Sequence, residues 1–114
     1  MPHFVIDCSK NILKSQEEET VLKEVYQVTK DSGLFDANDI KVRMRPFDTF
    51  SVGGTNTDFI HVFADIMEGR STEQKAALSK AVVKKLKQLF PEVSFIAMNI
   101  RDFEKATYCN LGMI

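Results

Sequence analysis

The order strand–helix–strand occurs twice along this chain, and that repetition narrows the fold more than any single motif. In the first half, HFVIDC at residues 3–8 is rich in the β-branched and aromatic residues that suit a pleated sheet. Ser15 and Glu18 follow at capping-box spacing, in which two side chains satisfy the free amide hydrogens of a helix start. Val21, Leu22, Val25 and Val28 then recur at helical period among Glu and Lys, and Gly33 is placed to end the helix in a left-handed conformation. IKVRMRPF at 40–47 reads as a second strand. The second half repeats this order. DFIHVFADIM at 58–67 is a strand, and Ser71 and Gln74 have capping-box spacing. Leu78, Val82, Leu86 and Leu89 make the apolar stripe, Phe90-Pro91 stops the helix, and VSFIAMNI at 93–100 is the last strand. The connector DTFSVGGTNTD is rich in turn residues.

These elements predict an α+β fold: a tandem β-α-β repeat forming a four-stranded mixed sheet with two helices on one face. A single domain is expected over 1–114, with halves of about 1–57 and 58–114. Right-handed crossovers put both helices on the same side of the sheet and leave the other side bare. On the later strands, Ile60, Val62 and Ile66 alternate with Phe59, Phe63 and Met67, while Ile96, Met98 and Ile100 alternate with Phe95 and Ala97. Such two-sided apolar strands predict an oligomer whose sheet faces pack together.

Fifteen basic against 16 acidic side chains leave a net charge of -1, which predicts no general attraction to nucleic acid or to an anionic membrane. No apolar run reaches transmembrane length, and no secretory signal is read at the N-terminus. Cys8 and Cys109 lack metal-ligand spacing and fit a reducing compartment, so the cytoplasm is the expected location and no metal is expected.

Three features resemble the tautomerase superfamily: Met-Pro at the start, the doubled β-α-β unit, and EGRSTEQK at 68–75 after a strand. The opening MPHFVIDCSKNI, GLF at 33–35, the strand at 40–43 and GRS from Gly69 are most like the 5-carboxymethyl-2-hydroxymuconate isomerases. The resemblance implies a homotrimer with its sheets forming an inner barrel. It also implies cofactor-free movement of a double bond in an unsaturated oxo or hydroxy polycarboxylic acid, in aromatic-compound catabolism. The alternatives are a tautomerase of another small enol acid, such as a phenylenolpyruvate-type compound, and a non-catalytic oligomeric binding module.

The resemblance also names site residues. Pro2, once Met1 is removed, is the implied general base, because a secondary amine held in a ring can take a proton from one carbon and return it to another. If Met1 stays, that nitrogen is an amide and cannot do so. Lys41, Arg43 and Arg45 alternate along one strand face and supply positive charge for a carboxylated substrate, with Arg43 in the family's Val-Arg context. A solvated sheet edge is the plainer reading of Lys41 and Arg45. Phe50, in TFSVGG, matches an aromatic residue that lines the family pocket, and Arg70 keeps the GRS position as either a substrate contact or a helix-start residue. The family's arginine one turn beyond the first strand falls near Ile12, where Lys10 and Lys14 stand instead. His3 and His61 read as ordinary strand residues.

Overall fold

A computed structural model describes residues 1–114. Its main elements are β1 (His3–Ser9), α1 (Glu18–Asp31), β2 (Lys41–Phe47), β3 (Phe59–Met67), α2 (Thr72–Leu89) and β4 (Phe95–Phe103). The four strands form one sheet in the order β2-β1-β3-β4. Each strand–helix–strand unit closes with a parallel pair, β1 with β2 and β3 with β4, and the two units join through antiparallel β1 and β3. Helix α1 and helix α2 share one core with the sheet. Val21 and Val25 from the first, and Leu78, Val82 and Leu86 from the second, pack with Phe4, Ile6, Cys8, Ile60, Val62 and Ala64. The strand residues in that list are alternate positions of β1 and β3, so both helices lie on one face, as a pair of right-handed crossovers requires.

The two helix starts differ. At α2 the Ser71 hydroxyl accepts from the Gln74 amide at 3.1 Å and the Gln74 side chain accepts from the Ser71 amide at 2.9 Å, which is the reciprocal box the spacing predicts. At α1 the predicted Ser15–Glu18 box is not formed. Glu17 precedes the first turn without a side-chain cap, and Ser15 instead donates to the Ile12 carbonyl at 2.9 Å, closing a short 3-10 turn over Lys10–Lys14. That turn consumes the serine. Glu18 and Glu19 in the first turn of α1 favour the helix dipole in its place. Ser71→Ala is therefore expected to cost about 1 kcal/mol of unfolding free energy. Ser15→Ala, measured in the same denaturant titration, should cost clearly less.

Gly33 ends α1 with φ +72°, in the left-handed region foreseen for it. The last strand is shifted from its predicted place: it begins at Phe95 and runs on to Phe103. Val93 is buried in the core before the strand starts and belongs to the turn after α2.

The open face of the sheet is also less apolar than the strand pattern suggests. Phe59, Phe63 and Met67 do face away from the helices and are half-buried, with Phe95 exposed beside them. They are interleaved with polar pairs, however. Arg45 pairs with Asp7 at 2.7 Å, Arg101 with Asp65 at 3.1 Å, and His61 with Asn99 at 2.7 Å. Cross-strand neighbours set these pairs, and a pattern read one strand at a time cannot see them.

Candidate active site

The register gives the sheet two functionally distinct ends. At the first, the start of β1 lies beside the start of β2 and the ends of β3 and β4: His3 is opposite Lys41 on one side and Asp65 on the other. Pro2 sits here, fully buried, and its carbonyl accepts from the Lys41 amide at 3.0 Å. Proline fits because no ladder donor is needed from its nitrogen at a strand start. Met1 precedes it, so in this chain that nitrogen is an amide. The Met1 amine donates to the Asp39 carbonyl at 2.9 Å. Burial, and after it the charge of Lys41, hold this amine below the ordinary α-amino value. The end of the sheet thus favours an uncharged amine.

Lys41, Arg43 and Arg45 all project from the open face, as their alternation requires. Their partners differ. Lys41 Nζ donates to the Asp39 carbonyl at 2.8 Å. Arg43 Nη1 lies 3.2 Å from His3 Nδ1. Arg45 places Nε and Nη2 at 2.7 and 3.2 Å from the two carboxylate oxygens of Asp7, a bidentate fork that occupies its best donors. Arg70 is half-buried after β3. It donates to the carbonyls of Leu34 (2.6 Å) and Met67 (3.2 Å), and its guanidinium lies 4.8 Å from the Phe35 ring centroid. These contacts tie the loop after α1 to the end of β3.

Phe50 is at the other end. Its ring is 5.4 Å from that of Phe59, the first residue of β3, level with the far end of β1. At about 3.3 Å per residue, β1 puts on the order of 20 Å between Pro2 and this point. One chain does not bring Pro2 and Phe50 together. Around Phe50 is an open cavity of about 440 Å³, lined by Lys10, Asn11, Leu13, Lys14, Phe47, Asp48 and Phe50. Lys10 pairs with Asp48 at 3.5 Å, whereas Lys14 makes no ion pair. The two lysines near Ile12 are therefore on the same wall system as Phe50. The sequence left Phe47 and Asp48 unassigned. Phe47 shares the strand parity of Arg43 and Arg45, and that was the available signal. Cys8 is not a nucleophile candidate, since burial pushes its thiol up to about 12.

Comparison with known proteins places this geometry. The family described as 5-carboxymethyl-2-hydroxymuconate isomerase matches residues 2–110. A 5-carboxymethyl-2-hydroxymuconate Delta-isomerase of Escherichia coli is 26% identical over 92 residues, covering 79% of this chain and 73% of that protein. A 5-carboxymethyl-2-hydroxymuconate isomerase structure from Deinococcus radiodurans R1 superposes with a TM-score of 0.82 at 19% identity, over 96% of this chain and 87% of that one. A fused 4-OT wild-type symmetric trimer superposes with a TM-score of 0.81 at 15% identity, over 98% and 94%. At those identities the two structures establish the tautomerase fold, and the match over 2–110 establishes the rest: the chain belongs to the 5-carboxymethyl-2-hydroxymuconate isomerase family.

Proposed function

We propose that this tautomerase-type isomerase moves a double bond in an unsaturated oxo or hydroxy polycarboxylic acid such as 5-carboxymethyl-2-hydroxymuconate, with Pro2 as general base in the cytoplasm. The observation that carries the reading is the setting of the β1 start: a fully buried proline at an end of the sheet where burial and Lys41 favour a neutral amine. In the form lacking Met1, the Pro2 nitrogen takes a proton from the substrate. For a dienol that proton leaves the 2-hydroxyl, the negative charge spreads from the oxygen along the diene as a dienolate, and the prolinium returns the proton at a distal carbon to leave the 2-oxo compound. Lys41 and Arg43 supply the positive charge that stabilises the dienolate. Arg70 adds to that field from a fixed position, because two backbone carbonyls hold it, whereas Asp7 offsets the charge of Arg45, which can reach a substrate only by giving up part of that pair.

Phe50 and Lys14 enter through a second subunit. About 20 Å separates them from Pro2 within one chain, so a shared pocket requires the cavity of one protomer to face the β1 start of another. Assembly as a homotrimer supplies that arrangement, and two solved structures of the same fold are described as symmetric trimers. Lys14 offers a carboxylate a point charge rather than a fork. Beside Phe47 and Phe50 it also favours a second reading, a tautomerase of an aromatic enol acid with one carboxylate.

The test is turnover by protein whose N-terminus has been verified by mass, followed by ultraviolet absorbance with a 2-hydroxymuconate-type dienol and with phenylenolpyruvate. Faster conversion of the dienol is expected; faster conversion of phenylenolpyruvate selects the second reading, and no turnover of either leaves a binding module. Co-refolding Pro2→Ala chains with Phe50→Ala chains tests the shared pocket. Random mixing at equal ratio should restore about a quarter of the sites if each joins two protomers in a ring. No recovery above the two single variants overturns that part.

A further inference from the structure

The open face of the sheet holds a contact that the proposed chemistry does not use. His3 is flanked by Arg43 and Phe103 on that face. Arg43 Nη1 lies 3.2 Å from its Nδ1, and the Phe103 ring meets it edge-on with centroids 6.2 Å apart. Tyr108 backs that phenylalanine at 6.0 Å. An arginine has only donors, so the contact is a hydrogen bond only when His3 is neutral with Nδ1 as acceptor and its proton on Nε2. The imidazole ring is rigid, and β1 fixes its backbone beside β2 through a continuous parallel ladder from His3 to Ser9. It can therefore hold the end of a long, rotamer-rich side chain in one place.

We propose that His3 is a positioning residue for Arg43: the neutral imidazole holds the guanidinium in its carboxylate-binding orientation, and protonation of His3 releases it. The kinetic side of this rests on the role given to Arg43 above; the coupling between the two side chains does not.

The surroundings set the sign. From β2, Lys41 and Arg43 oppose a charge on His3, as does the amine of Met1; from β3, Asp65 favours it, though Arg101 of β4 already pairs with that carboxylate at 3.1 Å. Burial is the largest influence, followed by Arg43, and both lower the His3 pKa from its ordinary 6.5. Neutral His3 is thus the form present at pH 7. As pH falls through the His3 titration, Arg43 loses its acceptor and meets a like charge at the same moment.

Two measurements decide this, NMR on the full chain and kinetics on the chain lacking Met1. By NMR, the chain's two histidines are separated by comparison with His3→Asn, which lacks the His3 signals. His3 should show the Nε2–H tautomer and titrate below 6.5, and Arg43→Ala should move that titration upward by removing the cation. An unmoved titration, or a proton on Nδ1 at pH 7, overturns the proposal. By kinetics, KM for the dienol should rise as pH falls through the His3 titration with kcat changing less. His3→Phe should raise KM about ten- to a hundredfold at neutral pH, in line with loss of one charge-assisted hydrogen bond. His3→Asn, whose amide oxygen can take the place of Nδ1, should recover most of that loss and remove the acid limb of KM. A purely structural histidine would give the same loss in both variants and leave the pH dependence of KM in place. If no preparation turns over the dienol, the proposed function fails while the NMR result still decides the pair.

Discussion

Pro2→Ala in protein lacking Met1 is expected to lower kcat/KM for the dienol by about 10²–10⁴, the usual contribution of a positioned general base. The loss stops short of complete because alanine still offers a primary amine. That amine is free to rotate where the proline ring is not, so it spends less time aimed at the hydroxyl that must lose its proton and the carbon that must receive it. The same assignment fixes the direction of the pH profile. The base works unprotonated, so kcat/KM rises with pH through the titration of the amine. Burial and Lys41, which hold the Met1 amine below its ordinary value at this end of the sheet, are expected to act on the Pro2 amine in the same direction. Protein retaining Met1 should be silent, since the amide nitrogen has no basic pair to give. Equal rates for Pro2→Ala and the wild type, with both N-termini verified by mass, would remove Pro2 from the chemistry.

Phe4→Ala should cost about 3–5 kcal/mol of unfolding free energy, a large share of the 5–15 kcal/mol typical of a folded protein. Phe4 is wholly buried, belongs to the central core, and stacks edge-on against Phe35 with ring centroids 6.4 Å apart. Phe35 in turn carries the Arg70 guanidinium on its face. Removing the Phe4 ring therefore opens a cavity beneath the strand that follows Pro2 and loosens the loop that Arg70 ties down. Denaturant unfolding at a fixed protein concentration measures the loss. A cost below about 1 kcal/mol would mean that Phe35 and α1 close the gap, and that the site end of β1 is supported from elsewhere.

Much of the fold was legible because period and punctuation are local. Two-residue alternation at 59–67 and the helical stripe of Leu78, Val82 and Leu86 each needed only a few consecutive residues to show which side would be buried. The Ser71–Gln74 box was equally local. Ser15–Glu18 had the same spacing and failed, because a serine can cap only the turn that the preceding residues leave open, and here Lys10–Lys14 form a 3-10 turn that uses it. The shift of the last strand has a similar cause: Val93 fits a strand pattern, but the core claims it while the chain is still turning out of α2.

The candidate site divides along the same line. Alternation in IKVRMR was enough to put Lys41, Arg43 and Arg45 on one sheet face, since side-chain direction in a strand follows from position alone. It could not rank them, because ranking depends on what stands on the neighbouring strand. Pairing of β1 with β2 at the observed register gives Asp7 to Arg45 and His3 to Arg43. Arg70 was left between two roles, and its bonds to Leu34 and Met67 arise from a loop and a strand end that meet only in the folded chain.

The sequence by itself determined the repeated strand–helix–strand order, the helix-facing residues and the family, since all three depend on residues close together in the chain. Only the tertiary structure decided that Phe50 and Lys14 lie a full strand length from Pro2, and which cations remain unclaimed by a carboxylate. Strand order and register bring together residues tens of positions apart, and that contact sets both the partner of each charge and the end of the sheet on which it acts.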